Sequence, residues 1–322
     1  VIEEIIKEKN EWRYEIKEGE VIILSYLGED MEVEVPKKIE GLPVIALEKR
    51  AFYEKKNLNR VYLPSTICKM GEYAFSECRA LCEIEIPASL IKISRHAFYN
   101  CRKLEKVTLW DTVKDIEDGA FKNCYQLREI KLFLKTKKNT ALNQILYDSK
   151  NKMIVELWED DIVAKLQIPE YALDSQVDIN SRAFHEVIHG MGSVFRDWVS
   201  FQYMEFDKYD ILFDAMVREE KIEDVINMAL GRLRYPLELS EKNKEKYEVY
   251  IKENMRQILL ELLRKYKKEE LSWLLHSFGA VEKGIIDECI DMTIKEGQNE
   301  FTVLLMAYRR KNYKKKEKSF DL

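Results

Sequence analysis

Between Asn57 and Pro64 the chain reads NLNRVYLP, with apolar Val61 and Leu63 alternating with polar Arg60 and Tyr62. Such alternation predicts a strand with one buried face. It returns at Ile84/Ile86, Val107/Leu109 and Ile130/Leu132, each time 23 residues further on. Other columns keep the same interval: Ala51-Phe52, Ala74-Phe75, Ala97-Phe98 and Ala120-Phe121; Leu58, Leu81, Leu104 and Leu127; Cys78, Cys101 and Cys124. A unit this short cannot bury its own apolar face, so copies must stack to make a core. The pattern predicts a solenoid in which each turn supplies one strand and one return segment. Phe52, Phe75, Phe98 and Phe121 then form a single internal column, and the three cysteines are small buried thiols.

After about residue 205 the alternation gives way to helical spacing. Ile222, Val225, Ile226, Ala229, Leu230 and Leu233 mark one helix, which Pro236 ends. Ser240 is placed to cap a long helix with the stripe Tyr247, Tyr250, Ile251, Ile258, Leu259 and Leu262. Leu271, Leu274, Leu275 and Phe278 predict another, closed by Gly279. Two more follow, at Ile285, Ile286, Cys289 and Ile290 and at Phe301, Val303, Leu304 and Ala307. Short connections imply antiparallel helix hairpins, either a cap on the solenoid or a second binding surface.

The pattern Leu-x-x-Val-x-Leu-Pro … Ile-x-x-x-Ala-Phe-x-x-Cys-x-x-Leu resembles the bacterial BspA-like leucine-rich repeat. Residues 34–45, EVPKKIEGLPVI, resemble that family's first turn, and residues 145–158, ILYDSKNKMIVELW, the hairpin that interrupts its solenoids. Leu166, Ile168, Pro169, Ile179, Ala183 and Phe184 then read as the repeat resuming. The resemblance spans roughly residues 20–190 and implies a fold and a tendency to bind proteins, without implying a reaction. The expected fold class is therefore an α/β repeat: a leucine-rich-repeat solenoid with a parallel β-sheet, then an all-α helical-hairpin domain. The expected division is 1–200 for the solenoid, with the interrupting hairpin near 140–160, and 201–322 for the helices and a basic tail. The stretch Gly284–Tyr308 is weakly similar to ankyrin-type helix pairs but lacks their turn motif.

The outward strand positions make two columns: Glu32, Arg60, Glu83, Lys106, Glu129, and Glu34, Tyr62, Glu85, Thr108, Lys131. Alternating charges on adjacent strands support the sheet by a few tenths of a kcal/mol per pair, roughly. As a surface they suit a protein partner of unknown identity, with Arg60, Tyr62, Glu83, Glu85, Lys106, Thr108, Glu129 and Lys131 as the candidate contacts. A phosphate backbone would want one sign of charge, and the formal net charge of −5 gives it no general attraction. Nucleic acid is therefore an improbable partner, and the terminal basic run (Arg309, Arg310, Lys311, Lys314, Lys315, Lys316, Lys318) reads as a solvated tail. No apolar run approaches the roughly 20 residues of a membrane span. Residues 1–16 carry no signal-peptide pattern. Cys68, Cys82 and Cys289 show neither pairing nor metal-ligand spacing, so reduced thiols in a cytoplasm are expected; a trimmed leader would mean a secreted or cell-surface protein.

One motif could carry chemistry. His185-Glu186-Val187-Ile188-His189 spells HExxH. On a helix this spacing sets both imidazoles on one face to hold zinc, with Glu186 activating the bound water. Phe195 occupies the position of a third histidine, leaving Glu220 as the best further ligand. Against this zinc-peptidase alternative stands the repeat, which already demands Ala183-Phe184 and an apolar residue at Val187. The reading adopted is a non-catalytic protein-binding scaffold without a cofactor.

Overall fold

The computed structural model describes residues 6–136, 141–178, 183–199 and 204–313, without the side chains of residues 175–186; Ile179 and the basic run from Lys314 lie outside these residues. The chain forms two compact units, Val1–Leu239 and Ser240–Leu322. The division expected near residue 200 thus falls after Leu239, because the first helices after the strands pack on the last strand of the repeat.

The first unit opens with three antiparallel strands, β1 (Ile6–Lys9), β2 (Trp12–Lys17) and β3 (Glu20–Tyr26). The solenoid strands follow: β4 (Glu32–Glu34), β5 (Lys38–Ile39), β6 (Leu42–Leu47), β7 (Arg60–Tyr62), β8 (Lys69–Met70), β9 (Glu83–Glu85), β10 (Lys92–Ile93), β11 (Lys106–Trp110), β12 (Asp115–Ile116) and β13 (Glu129–Phe133). Helix α1 (Leu142–Asp148) precedes β14 (Met153–Trp158) and β15 (Ile162–Ile168). The main sheet runs β4-β7-β9-β11-β13-β14, parallel throughout, with β15 antiparallel at its end. Its register pairs residues one repeat apart, such as Glu83 with Lys106 and Lys106 with Glu129.

Inside each turn the amide of the repeat phenylalanine donates to the next turn's Ala carbonyl: Phe52 to Ala74 at 2.7 Å, Phe75 to Ala97 and Phe98 to Ala120 at 2.8 Å. The rings stack in the same order, at centroid separations of 4.8, 5.3 and 5.1 Å from Phe52 to Phe121. Tyr26 stacks on Phe52 at 5.3 Å, and Trp12 packs on both, closing the column at its start. The cysteines fit as predicted. All are unpaired thiols, and Cys78, Cys101 and Cys124 donate from Sγ to the carbonyls of Phe52, Phe75 and Phe98 at 3.1, 3.1 and 3.3 Å. Burial pushes the Cys78 thiol up to about 12.

At the far end of the column, Asp148 Oδ2 accepts from the Phe121 amide at 2.9 Å. Asn151 Nδ2 donates to the carbonyls of Tyr125 and Leu127 at 3.0 and 3.1 Å. Here two expectations are corrected. Residues 145–158 do not interrupt the solenoid as a hairpin: α1 makes the return and β14 adds a further parallel strand in register with β13. Nor does the repeat resume, because β15 turns back antiparallel, and among the described residues β16 (Ala172–Asp178) pairs with β17 (Ala183–His189) in a sheet of their own.

Short helices then cover the sheet edge: α2 (Gly192–Phe195), α3 (Phe206–Ile211), α4 (Phe213–Glu219) and α5 (Ile222–Arg234). An open edge must have its backbone groups satisfied. The Tyr209 hydroxyl accepts from Gln167 N at 2.9 Å and donates to Gln167 O at 3.0 Å, while Leu237 N donates to Val163 O at 3.2 Å. Gly231 lets α5 lie close, since a Cβ there would stand 2.3 Å from the Lys165 carbonyl. The fully buried Arg196 donates to the carbonyls of Leu146, Ser149, Asn151, Pro169 and Gly192, and burial lowers its guanidinium to about 10.

The second unit contains α6 (Glu241–Glu253), α7 (Met255–Arg264), α8 (Lys268–Ser277), α9 (Lys283–Lys295) and α10 (Asn299–Asn312). Ser240 caps α6, its hydroxyl accepting from Asn243 N at 3.4 Å, and Gly279 follows α8 with φ +71°. The single long helix expected from Ser240 is two helices. Asn254 leaves helical geometry with ψ 16°, and its side-chain amide donates to the Tyr250 carbonyl at 2.9 Å.

Candidate protein-binding surface

The strands β7, β9, β11, β13 and β14 present their polar alternate positions on one face, and the predicted residues assemble there. In the first column Arg60 Nε meets Glu83 Oε1 at 2.8 Å, which holds the guanidinium above its usual range. In the second, Glu85 pairs in register with Thr108, and Thr108 with Lys131. Arg60, Tyr62, Glu85, Lys106, Thr108 and Lys131 line a shallow groove of about 330 Å³. Glu129 belongs to a neighbouring depression with Glu156 and Lys165, which pair at 3.0 Å. Tyr62 is 52% exposed, a large aromatic offered to solvent.

A third column was missed from sequence. Trp110, Phe133 and Trp158 stand in register on β11, β13 and β14, all half-buried. Trp110 stacks on Phe133 at 4.5 Å, and Phe133 tilts against Trp158 at 6.1 Å. Lys131 lays its ammonium over both later rings, 3.5 Å from the Trp158 centroid and 4.6 Å from that of Phe133. Cation–π contact of this kind replaces the carboxylate partner that a lysine here would otherwise take. The available signal was Trp110 standing where Pro64 and Pro87 end earlier strands.

The HExxH segment lies elsewhere and in the wrong secondary structure for its metal chemistry. Residues 183–189 are strand β17, with His185 paired to Gln176, Glu186 to Ser175 and His189 to Ala172. Positions 185 and 189 therefore share a strand face with Cα atoms about 13 Å apart, and position 186 belongs to the opposite face. His189 Nε2 lies 3.1 Å from Asp174 Oδ2, both groups exposed. Glu220, the expected further ligand, accepts from the backbone amide of Met191 at 2.9 Å.

The family description "BspA type Leucine rich repeat region" matches residues 44–154, in six copies. Residues 44–154 are thus leucine-rich repeats of the BspA type. A leucine-rich-repeat protein of T. pallidum is 31% identical, over 39% of this chain and 72% of that one, with a TM-score of 0.35. Another, from Bacteroides capillosus, is 23% identical over 39% of this chain and 97% of its own, with a TM-score of 0.36. No curated protein matches the chain. The BspA-type match encloses β7, β9, β11 and β13, so the two columns stand on family repeats from Arg60 and Tyr62 onward, while Glu32 and Glu34 precede the matched residues and Trp158 lies just past them. Among the described residues, no helix is long and apolar enough to cross a membrane.

Proposed function

We propose that this chain is a non-catalytic scaffold that binds another protein across the strand face of its repeats. The observation that carries the reading is the juxtaposition of the mixed-charge columns with the half-buried Trp110, Phe133 and Trp158. Interface energy concentrates in aromatic and arginine side chains ringed by polar contacts, and charge patterning sets partner choice and register. Tyr62 and Arg60 extend the same composition towards β7. Zinc and catalysis form no part of the reading.

The test is affinity capture from the source organism, followed by binding measurements with the purified partner. Glu83→Lys with Glu85→Lys, and separately Trp158→Ala, are expected to weaken binding at least ~10-fold, a loss of ~1.4 kcal/mol or more. Unchanged affinity in both variants removes the strand face from the reading.

A further inference from the structure

A helix at the surface of a helical array ordinarily turns a polar face to water. Among the described residues, helix α10 turns an apolar one. Val303 is 68% and Met306 46% exposed, Ala307 is exposed between them, and half-buried Leu304 continues the stripe. At helical spacing these residues form an apolar arc on the side away from Phe301, Leu305 and Tyr308, which are buried. Beside the arc, between α8 and α10, lies a groove of about 320 Å³ whose floor includes Leu275, Ala280, Leu304 and Ala307.

The floor is fixed rather than collapsible. The Tyr308 hydroxyl accepts from Val281 N at 3.0 Å and donates to the Gly279 carbonyl at 2.9 Å, pinning the α8–α9 turn against α10. Among the described residues, the ionisable groups lining the groove besides Tyr308 are His276 and Lys311, and no carboxylate lines it. Arg310 is exposed on the same helix, whereas Arg309 is engaged by Asp287 at 2.7 Å.

We infer that this groove is a second protein-binding site, one that takes an amphipathic helix whose apolar ridge is flanked by acidic residues. Two walls of helix with an open apolar channel fit the ridge of a third helix, the helix-in-groove mode of recognition. The cationic rim supplies the sign of the flanking charge. The site is independent of the strand face.

The probe is a fluorescent synthetic helix with leucines at i, i+4 and i+7 on one side and glutamates elsewhere, titrated with the full chain by anisotropy. A second peptide carries lysines in place of the glutamates. The glutamate peptide is expected to bind and the lysine peptide to fail. Ala307→Glu and Lys311→Glu, both at exposed positions, are each expected to weaken the glutamate peptide at least ~10-fold. Lys311→Glu is also expected to improve the lysine peptide. Glu83→Lys with Glu85→Lys should leave the titration unchanged, so this site and the strand face can fail separately. Absence of binding by the glutamate peptide, equal binding of both peptides, or indifference to both substitutions overturns the inference. So does a dimer seen by sedimentation velocity that Ala307→Glu dissociates.

Discussion

Asp148 stands where the phenylalanine ladder runs out of turns. Three earlier phenylalanine amides find a carbonyl in the next repeat; the Phe121 amide finds this carboxylate instead. Burial raises the Asp148 carboxyl above the usual range, and the Phe121 N–H offsets only part of that. The folded state therefore holds the proton more tightly than the unfolded chain, so this group favours folding increasingly as pH falls through its folded value towards 3.8. Asp148→Asn keeps an acceptor without a buried charge and is expected to be no less stable than the parent at pH 7. Its advantage should shrink as the pH is lowered through that window. Asp148→Ala strands the amide and is expected to cost about 1–3 kcal/mol. Denaturant melts at several pH values check both; an Asn variant as damaged as the Ala variant would refute this account of the cap. Phe98 tests the ladder itself. Fully buried between Phe75 and Phe121, it is expected to cost about 3–5 kcal/mol as Phe98→Ala, read as a lower denaturant midpoint.

Elements were legible where the sequence repeats and opaque where a single residue decides. The 23-residue columns identify the strands, the phenylalanine ladder and the buried thiols because each is enforced in several copies. Each turn also needs two left-handed residues, at Arg50 and Glu54, Tyr73 and Glu77, His96 and Asn100, Gly119 and Asn123. Gly119, Asn100 and Asn123 advertise that requirement, while the other side chains hide the backbone they adopt. The antiparallel return of β15 and the break at Asn254 had no repeated signal at all. The aromatic column escaped notice because three different residue positions, Trp110, Phe133 and Trp158, do not repeat as an identity. The HExxH motif, set aside from sequence on the repeat register, lies on a strand rather than at the helical spacing its metal chemistry needs. Protein purified without added metal is accordingly expected to carry no stoichiometric zinc by elemental analysis. One equivalent that disappears on His189→Ala would return the peptidase reading to the front.

At the scale of the molecule, two compact units imply two cooperative transitions, since residues couple strongly within a packed core. The first unit is locked at its helical edge by Asp210 and Arg232, both fully buried, with Nε to Oδ1 at 2.8 Å and Nη2 to Oδ2 at 2.9 Å. The Arg232 guanidinium also lies 4.9 Å from the Phe206 ring centroid and donates to the Leu237 carbonyl at 3.0 Å, so α3, α5 and the chain beyond α5 meet on one cation. Removing one partner of such a pair leaves a buried charge uncompensated, a loss of about 3–5 kcal/mol. Asp210→Ala is therefore expected to lower the melting temperature of one calorimetric transition and leave the other in place. Leu274→Ala, a cavity in the fully buried centre of α8, should move only the transition that Asp210→Ala spares. The pair of variants is needed because either alone could report general destabilisation. One transition shifted by both substitutions would mean that the repeat unit and the helical unit unfold together.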